Sequence, residues 1–196
     1  MRKSICCIFN IGPIYRAPIY KLMDRELACD FYLGDKIYTP IKKMKYEELV
    51  GFKKELRNRI LFGNWYWQSD AVGNIFKPYH KYILTGEPYC ISNWCILILG
   101  KILKKQVFLW SHGWYGDETW VKKIVKRTFF KLSTKTLLYG NYSIDLMIKE
   151  GIKSDKLISI YNSLDYDAQI QRRKSFLTSQ IYSQKFKNAD PVLIYI

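Results

Sequence analysis

Short apolar runs alternate with longer amphipathic runs along most of this 196-residue chain. Apolar runs that end at glycine, proline or asparagine are typical of buried strands, whereas apolar residues spaced three and four apart are typical of helices. The pattern predicts strands over residues 4–10, 29–33, 59–62, 82–86, 106–110, 136–139 and 157–161. It predicts helices over residues 18–27, 91–103, 120–132 and 142–150. This alternation predicts an α/β fold, a Rossmann-like parallel sheet with helices on both faces.

Three stretches depart from the simple alternation. Residues 36–59 are basic and weakly patterned, and we expect a loop and a short helix there. The aromatic cluster Trp65-Tyr66-Trp67 follows, and after it we expect a short helical segment. The helix over residues 91–103 is apolar almost all round, which predicts that it is buried.

The loops that follow the strands are the expected location of a binding site. In open parallel sheets, ligands bind beyond the carboxyl ends of the strands. We therefore expect functional residues within residues 10–16, 86–93, 112–119, 140–143 and 162–167.

The most specific of these loops contains a histidine. His112 directly follows a predicted buried strand, and Gly113 and Gly116 allow the backbone to approach a ligand. An imidazole at this position can hydrogen-bond a sugar hydroxyl or a phosphate, or transfer a proton. The alternative is a histidine that only caps the strand end, and the position at the binding edge favours the functional interpretation. Asp117 and Glu118 precede a helix and are more typical of capping than of a catalytic pair.

The loop after the first strand is a weaker candidate. It contains Gly12, Pro13 and Arg16, and it lies where doubly wound folds bind phosphate. It is not a dinucleotide fingerprint, since it has one glycine and Pro13 lacks a backbone donor. Arg16 supplies a positive charge, but an ordinary turn explains the loop equally well.

A strong positive charge distinguishes the composition. Thirty-two Lys and Arg against 17 Asp and Glu give a net charge of +15, which favours an anionic partner. The predicted helix over residues 120–132 carries Lys123, Arg127 and Lys131 on one side, and Phe130 is assigned to that side too. This face fits an anionic lipid surface or a solvated helix face equally well. No nucleic-acid-binding motif accompanies the charge, so nucleic acid is the weaker class of partner.

The cysteines and the amino terminus favour a reducing compartment. The five cysteines have no paired spacing, which predicts free thiols and no zinc site. No signal core or membrane span is visible, because every apolar run is too short. We therefore expect a cytoplasmic protein, or one held at a membrane surface.

Taken in order, the motifs resemble those of a known family. The chain resembles the N-terminal half of bacterial family 4 glycosyltransferases, which have two Rossmann-like domains in the arrangement called GT-B. The resemblance covers nearly the whole chain, and Ser163 stands where the family's last motif usually has glycine. The motifs that carry it are Gly12-Pro13, Gly86-Glu87-Pro88, Ser92-Asn93-Trp94, Trp110-Ser111-His112-Gly113-Trp114-Tyr115-Gly116, Tyr139-Gly140-Asn141-Tyr142-Ser143, Gly151-Ile152, Asp155-Lys156-Leu157 and Tyr161-Asn162-Ser163-Leu164-Asp165.

The resemblance implies roles for particular residues. His112 would be the active-site histidine near the transferred sugar, and Gly12 would face the phosphates of the donor. The implied substrate-binding residues are Gly12, Pro13, Arg16, Gly113, Trp114, Gly140, Asn141 and Asn162. The implied reaction transfers a sugar from a nucleotide-sugar to a glycan or lipid-diphosphate-linked acceptor with retention of configuration. It needs no metal and no cofactor besides the nucleotide-sugar.

The resemblance also implies a domain organisation and a location. Residues 1–167 would form the acceptor-side domain, residues 168–190 a helical connector, and residues 191–196 the first strand of a missing donor-binding domain. We therefore expect this chain to be inactive alone. The implied process is surface polysaccharide synthesis at the inner face of the cytoplasmic membrane. The alternative is a basic, non-catalytic module that binds nucleic acid or an anionic membrane.

Overall fold

A computed structural model describes residues 5–162, 165–176, 180–188 and 190 of the chain. The chain divides into two compact units, Met1–Leu164 and Asp165–Ile196. The predicted strand at residues 191–196, together with Ser163 and Leu164 of the last motif, lies outside the described residues. The division into an acceptor-side domain, a connector and a further domain therefore stays a prediction.

A parallel sheet of seven strands forms the first unit, in the order β3-β2-β1-β6-β7-β8-β9. The two remaining strands, β4 and β5, pair antiparallel as a separate hairpin. The strands are β1 (Ile5–Phe9), β2 (Asp30–Gly34), β3 (Phe52–Leu56), β4 (Asn58–Phe62), β5 (Trp65–Gln68), β6 (Lys81–Thr85), β7 (Gln106–Ser111), β8 (Lys135–Leu138) and β9 (Leu157–Ser159). The described helices of the two units are α1 (Ala17–Leu27), α2 (Ile91–Ile102), α3 (Trp120–Leu132), α4 (Asn141–Lys149), α5 (Tyr166–Ser175) and α6 (Ile181–Phe186).

Alternate side chains of β1, a strand inside the sheet, belong to two different hydrophobic cores. Cys6 and Ile8 of β1 belong to a cluster that includes residues of α2, α3 and α4. Cys7 and Phe9 belong to a second cluster, in which Tyr20 of α1 stacks on Phe9 with ring centroids 5.1 Å apart. Because successive side chains of a strand point to opposite faces, the two clusters cover the two faces of the sheet. The predicted Rossmann-like α/β fold is therefore confirmed.

Two strands were not predicted from the sequence. The edge strand β3 has the sequence FKKEL, and Lys53, Lys54 and Glu55 are all exposed, so it shows no apolar run. Polar residues are common on edge strands because they discourage pairing with other chains. The aromatic cluster at Trp65–Gln68 is strand β5, which pairs with β4, and a short 3₁₀ turn at Val72–Phe76 follows it.

The prediction that residues 91–103 form a fully buried helix is wrong on one side. Helix α2 exposes Ile98 and Ile102, which are 48% and 68% accessible. Its buried face carries polar as well as apolar residues. Ser92 accepts a hydrogen bond from the backbone of Gln68 and Asn93 donates to the carbonyl of Thr85, and Ile96 and Leu97 pack in the core. Apolar content therefore does not distinguish the two faces of this helix.

The assignment of Phe130 to the basic side of α3 is also wrong. Phe130 is 1% exposed and packs against Phe129 and Trp114 in the core. In the second unit, Asp165 caps α5, since its carboxylate accepts a hydrogen bond from the backbone N–H of Ala168 at 3.1 Å. Cys6, Cys7, Cys90 and Cys95 are free thiols. No helix among the described residues is long and apolar enough to cross a lipid bilayer.

Candidate ligand site at the carboxyl edge of the sheet

A cavity of about 530 Å³ opens where β1, β6, β7 and β8 end. The chain order of the sheet reverses between β1 and β6, and open α/β sheets bind ligands at such a switch point. Asn10 and Thr85 join the two strand ends, since the backbone N–H of Asn10 donates to Thr85 Oγ1 at 3.0 Å. Aromatic and aliphatic side chains form much of the wall. Its charged and polar members are Asn10, Arg16, Thr85, Glu87, Ser111, His112, Asp117, Glu118, Lys122 and Lys126.

Arg16 supplies a fixed positive charge to this cavity. It ends a 3₁₀ turn, Ile14–Arg16, that leads directly into α1. Its guanidinium lies over the rings of Trp110 and Tyr139, 4.9 Å and 4.8 Å from their centroids, and donates a hydrogen bond to Tyr139 Oη. A guanidinium has five N–H donors, so most of them stay available for an anionic ligand.

His112 lines the same cavity beside Arg16. Its ring lies 4.4 Å from that of Tyr139 in an edge-on arrangement and 6.0 Å from that of Tyr115. His112 is exposed at the cavity, but partial desolvation of its ring and the nearby charge of Arg16 still lower the pKa of His112 below its usual 6.5. A neutral imidazole offers one donor and one acceptor, which suits a hydrogen bond with a hydroxyl group.

Two serines fix the backbone that carries His112. Ser143 Oγ donates to the carbonyl of His112 at 2.8 Å and accepts from the N–H of Trp114 at 2.9 Å. Ser111 Oγ donates to the carbonyl of Gly86 at 2.8 Å and accepts from the N–H of Gly113 at 3.0 Å. Gly113 has φ +72°, and a Cβ there would clash with Ser143 Oγ. A side chain at position 113 is therefore incompatible with this arrangement.

Glu118 and Lys126 form an ion pair in the wall of the cavity. Glu118 accepts hydrogen bonds from the N–H groups of Tyr115 and Gly116, at 2.9 Å and 3.0 Å, and pairs with Lys126. Lys126 also lies over the Trp114 ring, 4.9 Å from its centroid. These contacts use Glu118 to stabilise the turn rather than to face a ligand.

Glu87 is a second carboxyl group in the wall, and its environment is different. It lies two residues after the end of β6, and its Oε1 accepts a hydrogen bond of 3.4 Å from the backbone N–H of Tyr89. Burial raises its pKa above the usual 4.5, and Lys126 acts in the opposite direction. The protonated form is therefore favoured more than in water.

The structure brings four of the predicted site residues together and separates the others from them. Pro13, Arg16, His112 and Gly113 all line the cavity. The remaining predicted positions are not part of its wall: Gly12, Trp114, Gly140, Asn141 and Asn162.

Gly12 and Trp114 contact other residues of the protein rather than the cavity. The N–H of Gly12 donates to Tyr46 Oη at 3.0 Å, and a Cβ at position 12 would lie 2.7 Å from the Tyr46 ring. Gly12 therefore packs closely against a tyrosine rather than facing open space. Trp114 is 2% exposed, and its indole packs on Phe130 beneath the cavity.

The three other outlying positions lie near helix or strand ends. Gly140 precedes α4 in an extended conformation, and Asn141 is the first residue of that helix. Asn162 is exposed after β9. Their roles in binding, like those of the other site residues, stay predictions.

Sequence reasoning missed several residues of the wall. Tyr139 directly follows β8, and Glu87 lies two residues after β6, so the rule that pointed to His112 also applies to them. Tyr115 lies inside the predicted loop but was not singled out. Among the described residues, no three His, Cys, Asp or Glu side chains converge as a metal site would require.

Comparisons with known proteins support the fold. No protein-family profile matches the chain, and no curated protein matches it by sequence. HepE from Anabaena, solved in complex with UDP and glucose, matches with TM-score 0.56 and 11% identity over 89% of this chain and 50% of that chain.

Two sugar-nucleotide epimerases also match. UDP-GlcNAc 2-epimerase from Methanocaldococcus jannaschii gives TM-score 0.56 and 15% identity, over 94% of this chain and 52% of the other. The Neisseria meningitidis UDP-GlcNAc 2-epimerase, solved with UDP-GlcNAc, gives TM-score 0.51 and 16% identity over the same shares. The chain spans about half the length of these structures, so its Rossmann-like fold corresponds to one half of a GT-B architecture.

Proposed function

We propose that this chain is the acceptor-side half of a glycosyltransferase that uses a nucleotide-sugar donor. The observation that carries the proposal is the cavity at the switch point, where the cation of Arg16 and the low-pKa imidazole of His112 face one space. Structural neighbours solved with UDP, with UDP and glucose, or with UDP-GlcNAc support a nucleotide-sugar as the ligand class.

The proposed reaction assigns separate tasks to these two residues. The bond between the anomeric carbon and the diphosphate oxygen breaks, and the nucleoside diphosphate leaves with the electron pair. The acceptor hydroxyl oxygen forms the new glycosidic bond, and its proton passes to the departing diphosphate. Arg16 stabilises the negative charge that develops on the phosphates, and His112 hydrogen-bonds a sugar hydroxyl to orient the ring.

The finer features of the proposal come from the resemblance to family 4 glycosyltransferases. They are transfer with retention of configuration, a glycan or lipid-diphosphate-linked acceptor, and a place in bacterial surface polysaccharide synthesis. We further propose a cytoplasmic protein that associates with the inner face of the membrane. The net charge of +15 supports an anionic acceptor or surface. The nucleotide would be bound mainly by a second domain, and the transfer reaction is therefore proposed for a two-domain protein.

A comparison of the two histidines tests the proposal. His112→Ala in the two-domain protein is expected to lower sugar transfer from a UDP-sugar by about 100-fold or more, because it removes a positioned hydrogen bond near the reacting sugar. His80→Ala is the matched control, because His80 is exposed and precedes β6 at the opposite edge of the sheet. Equal activity of the His112→Ala variant and the wild type would contradict the proposal.

The positive charge also supports the alternative of a non-catalytic nucleic-acid-binding module. That function predicts saturable binding of short single-stranded or duplex oligonucleotides at moderate salt, with an affinity that falls steeply as salt rises. The transferase proposal predicts only weak, non-saturating binding in the same gel-shift experiment.

A further inference from the structure

The β4–β5 hairpin presents an apolar tip to solvent. Ile60, Leu61 and Phe62 are consecutive and are 65%, 52% and 62% exposed. The strand register shifts between Ile60 and Phe62, and Gly63 then turns the chain with φ +50°. Trp65 opens the returning strand, and its ring lies 6.0 Å from that of Phe62 and 5.5 Å from that of Tyr89. Three adjacent large apolar side chains on one tip are unusual for a surface that faces only water.

Cationic residues flank this tip. Arg57 and Arg59 are exposed at the base of the hairpin, and the chain has no acidic residue from Arg57 to Gln68. Lys36 is exposed and lines a cavity together with both arginines. An apolar tip with an aromatic ring and adjacent cations has the chemistry of a membrane-interface anchor, because the apolar groups enter the acyl boundary while the cations meet anionic headgroups.

We propose that the β4–β5 hairpin docks this protein on an anionic lipid bilayer, with Ile60, Leu61 and Phe62 inserted at the interface. The charge complementarity between Arg57, Arg59 and anionic headgroups selects a bilayer rather than a second protein surface as the occupant. This surface is different from the basic side of α3, where Lys123 and Lys126 are already paired with Glu150 and Glu118. The inference does not depend on the proposed transferase activity.

If the hairpin docks on the bilayer, a second cavity beside it lies at the membrane surface, where a lipid-linked substrate could enter it. A cavity of about 850 Å³ begins at Arg59 and Ile60 and includes Lys36 and Arg57 in its wall. It shares Asn10, Ile37, Glu87 and Tyr89 with the cavity that contains Arg16 and His112. An anionic headgroup at the hairpin would therefore lie next to the candidate site.

Vesicle co-sedimentation with matched variants tests the docking. Wild-type protein is expected to bind vesicles of mixed phosphatidylcholine and phosphatidylglycerol more tightly than vesicles of phosphatidylcholine alone. The triple change Ile60→Ser, Leu61→Ser and Phe62→Ser is expected to weaken binding by about tenfold or more, because it removes three exposed apolar groups. The control triple Phe76→Ser, Ile98→Ser and Ile102→Ser removes residues that are 66%, 48% and 68% exposed, and should bind as the wild type does. Equal loss in the two triples, or no binding of the wild type, would overturn the proposal.

A second pair of variants tests the charged part of the surface. Arg57→Gln with Arg59→Gln should weaken binding to the anionic vesicles by about 30-fold, since each of the two cations near an anionic surface contributes roughly 1 kcal/mol. Arg127→Gln with Lys131→Gln removes the same charge from the exposed side of α3 and should have a smaller effect. A larger effect of the α3 pair would assign docking to the helix and overturn the proposal.

Fluorescence quenching by brominated phospholipids shows which surface of the protein enters the bilayer. Trp65 lies next to the hairpin tip, whereas Trp120 is 75% exposed at the start of α3. Brominated anionic vesicles are expected to quench part of the wild-type emission. That part should be lost in Trp65→Phe and kept in Trp120→Phe. Loss in the Trp120→Phe variant alone, or no quenching of the wild type, would contradict hairpin docking.

Discussion

Replacement of Gly113 by alanine tests whether the backbone beside His112 is built as the structure shows. Gly113 has φ +72°, a conformation that costs a residue with a Cβ about 1–2 kcal/mol. The added methyl group would also clash with Ser143 Oγ and lie 2.6 Å from Leu138 Cδ2, and overpacking of this kind costs about 1–3 kcal/mol. Gly113→Ala is therefore expected to lower the free energy of unfolding by about 2–5 kcal/mol, a large part of a typical domain's stability.

Two other glycines distinguish the energetic cost of a positive φ from the cost of the steric clash. Gly151 has φ +82° with open space around its Cβ position, so Gly151→Ala should show the backbone cost alone, about 1–2 kcal/mol. Gly140 has an extended φ of −173° and also has open space, so Gly140→Ala should change stability by about 0.5 kcal/mol or less. Urea unfolding followed by tryptophan fluorescence measures all three. A Gly113→Ala variant no less stable than Gly151→Ala would refute the packing argument.

Three further predictions concern groups around the site. Tyr46→Phe removes a hydroxyl that accepts a hydrogen bond from the Gly12 N–H and donates one to the Gly34 carbonyl. The change should lower the free energy of unfolding in urea by about 1–3 kcal/mol. Tyr38→Phe is the control and should be neutral, because Tyr38 is 93% exposed. Glu87 has a folded-state pKa raised by burial, so its contribution to stability is present below pH 4.5 and is lost as pH rises through the folded value. Thermal melting of Glu87→Gln should therefore depend less on pH between about 4.5 and neutrality than that of the wild type, and an unchanged profile would contradict this. Arg16→Gln should raise the pKa of His112 in an NMR titration, because the charge of Arg16 helps to hold that pKa down.

The parallel sheet was predictable because its central strands are buried on both faces. Buried strands of this kind have continuous apolar sequences such as ICCIF in β1, bounded by turn residues. Ligands bind at the carboxyl ends of parallel strands. This rule predicted that Arg16 and His112 lie at the same edge of the sheet, although 96 positions separate them in the chain. The structure places both in the wall of one cavity.

The parts that were missed depend on contacts that the local sequence does not encode. Strand β3 is an exposed edge with polar side chains, so no apolar run marks it. Trp114 lies inside the motif that contains His112, yet its indole is buried because it packs under Lys126 and against Phe130. The contact between Gly12 and Tyr46 joins residues 34 positions apart, and only the folded chain shows it.

We propose that Arg16 binds the diphosphate of a substrate directly beside His112, in the cavity that both residues line. An NMR titration of this chain with inorganic pyrophosphate, observed at the imidazole protons of its two histidines, tests that claim most directly. We expect a saturable shift of the His112 signal and an increase in the pKa of His112, with loss of both effects in Arg16→Gln, since a bound anion favours the imidazolium form. The signal of the exposed His80, on the opposite edge of the sheet, serves as the reference and should not shift with pyrophosphate. A His112 signal that pyrophosphate leaves unchanged, or that shifts equally in Arg16→Gln, would contradict the proposal.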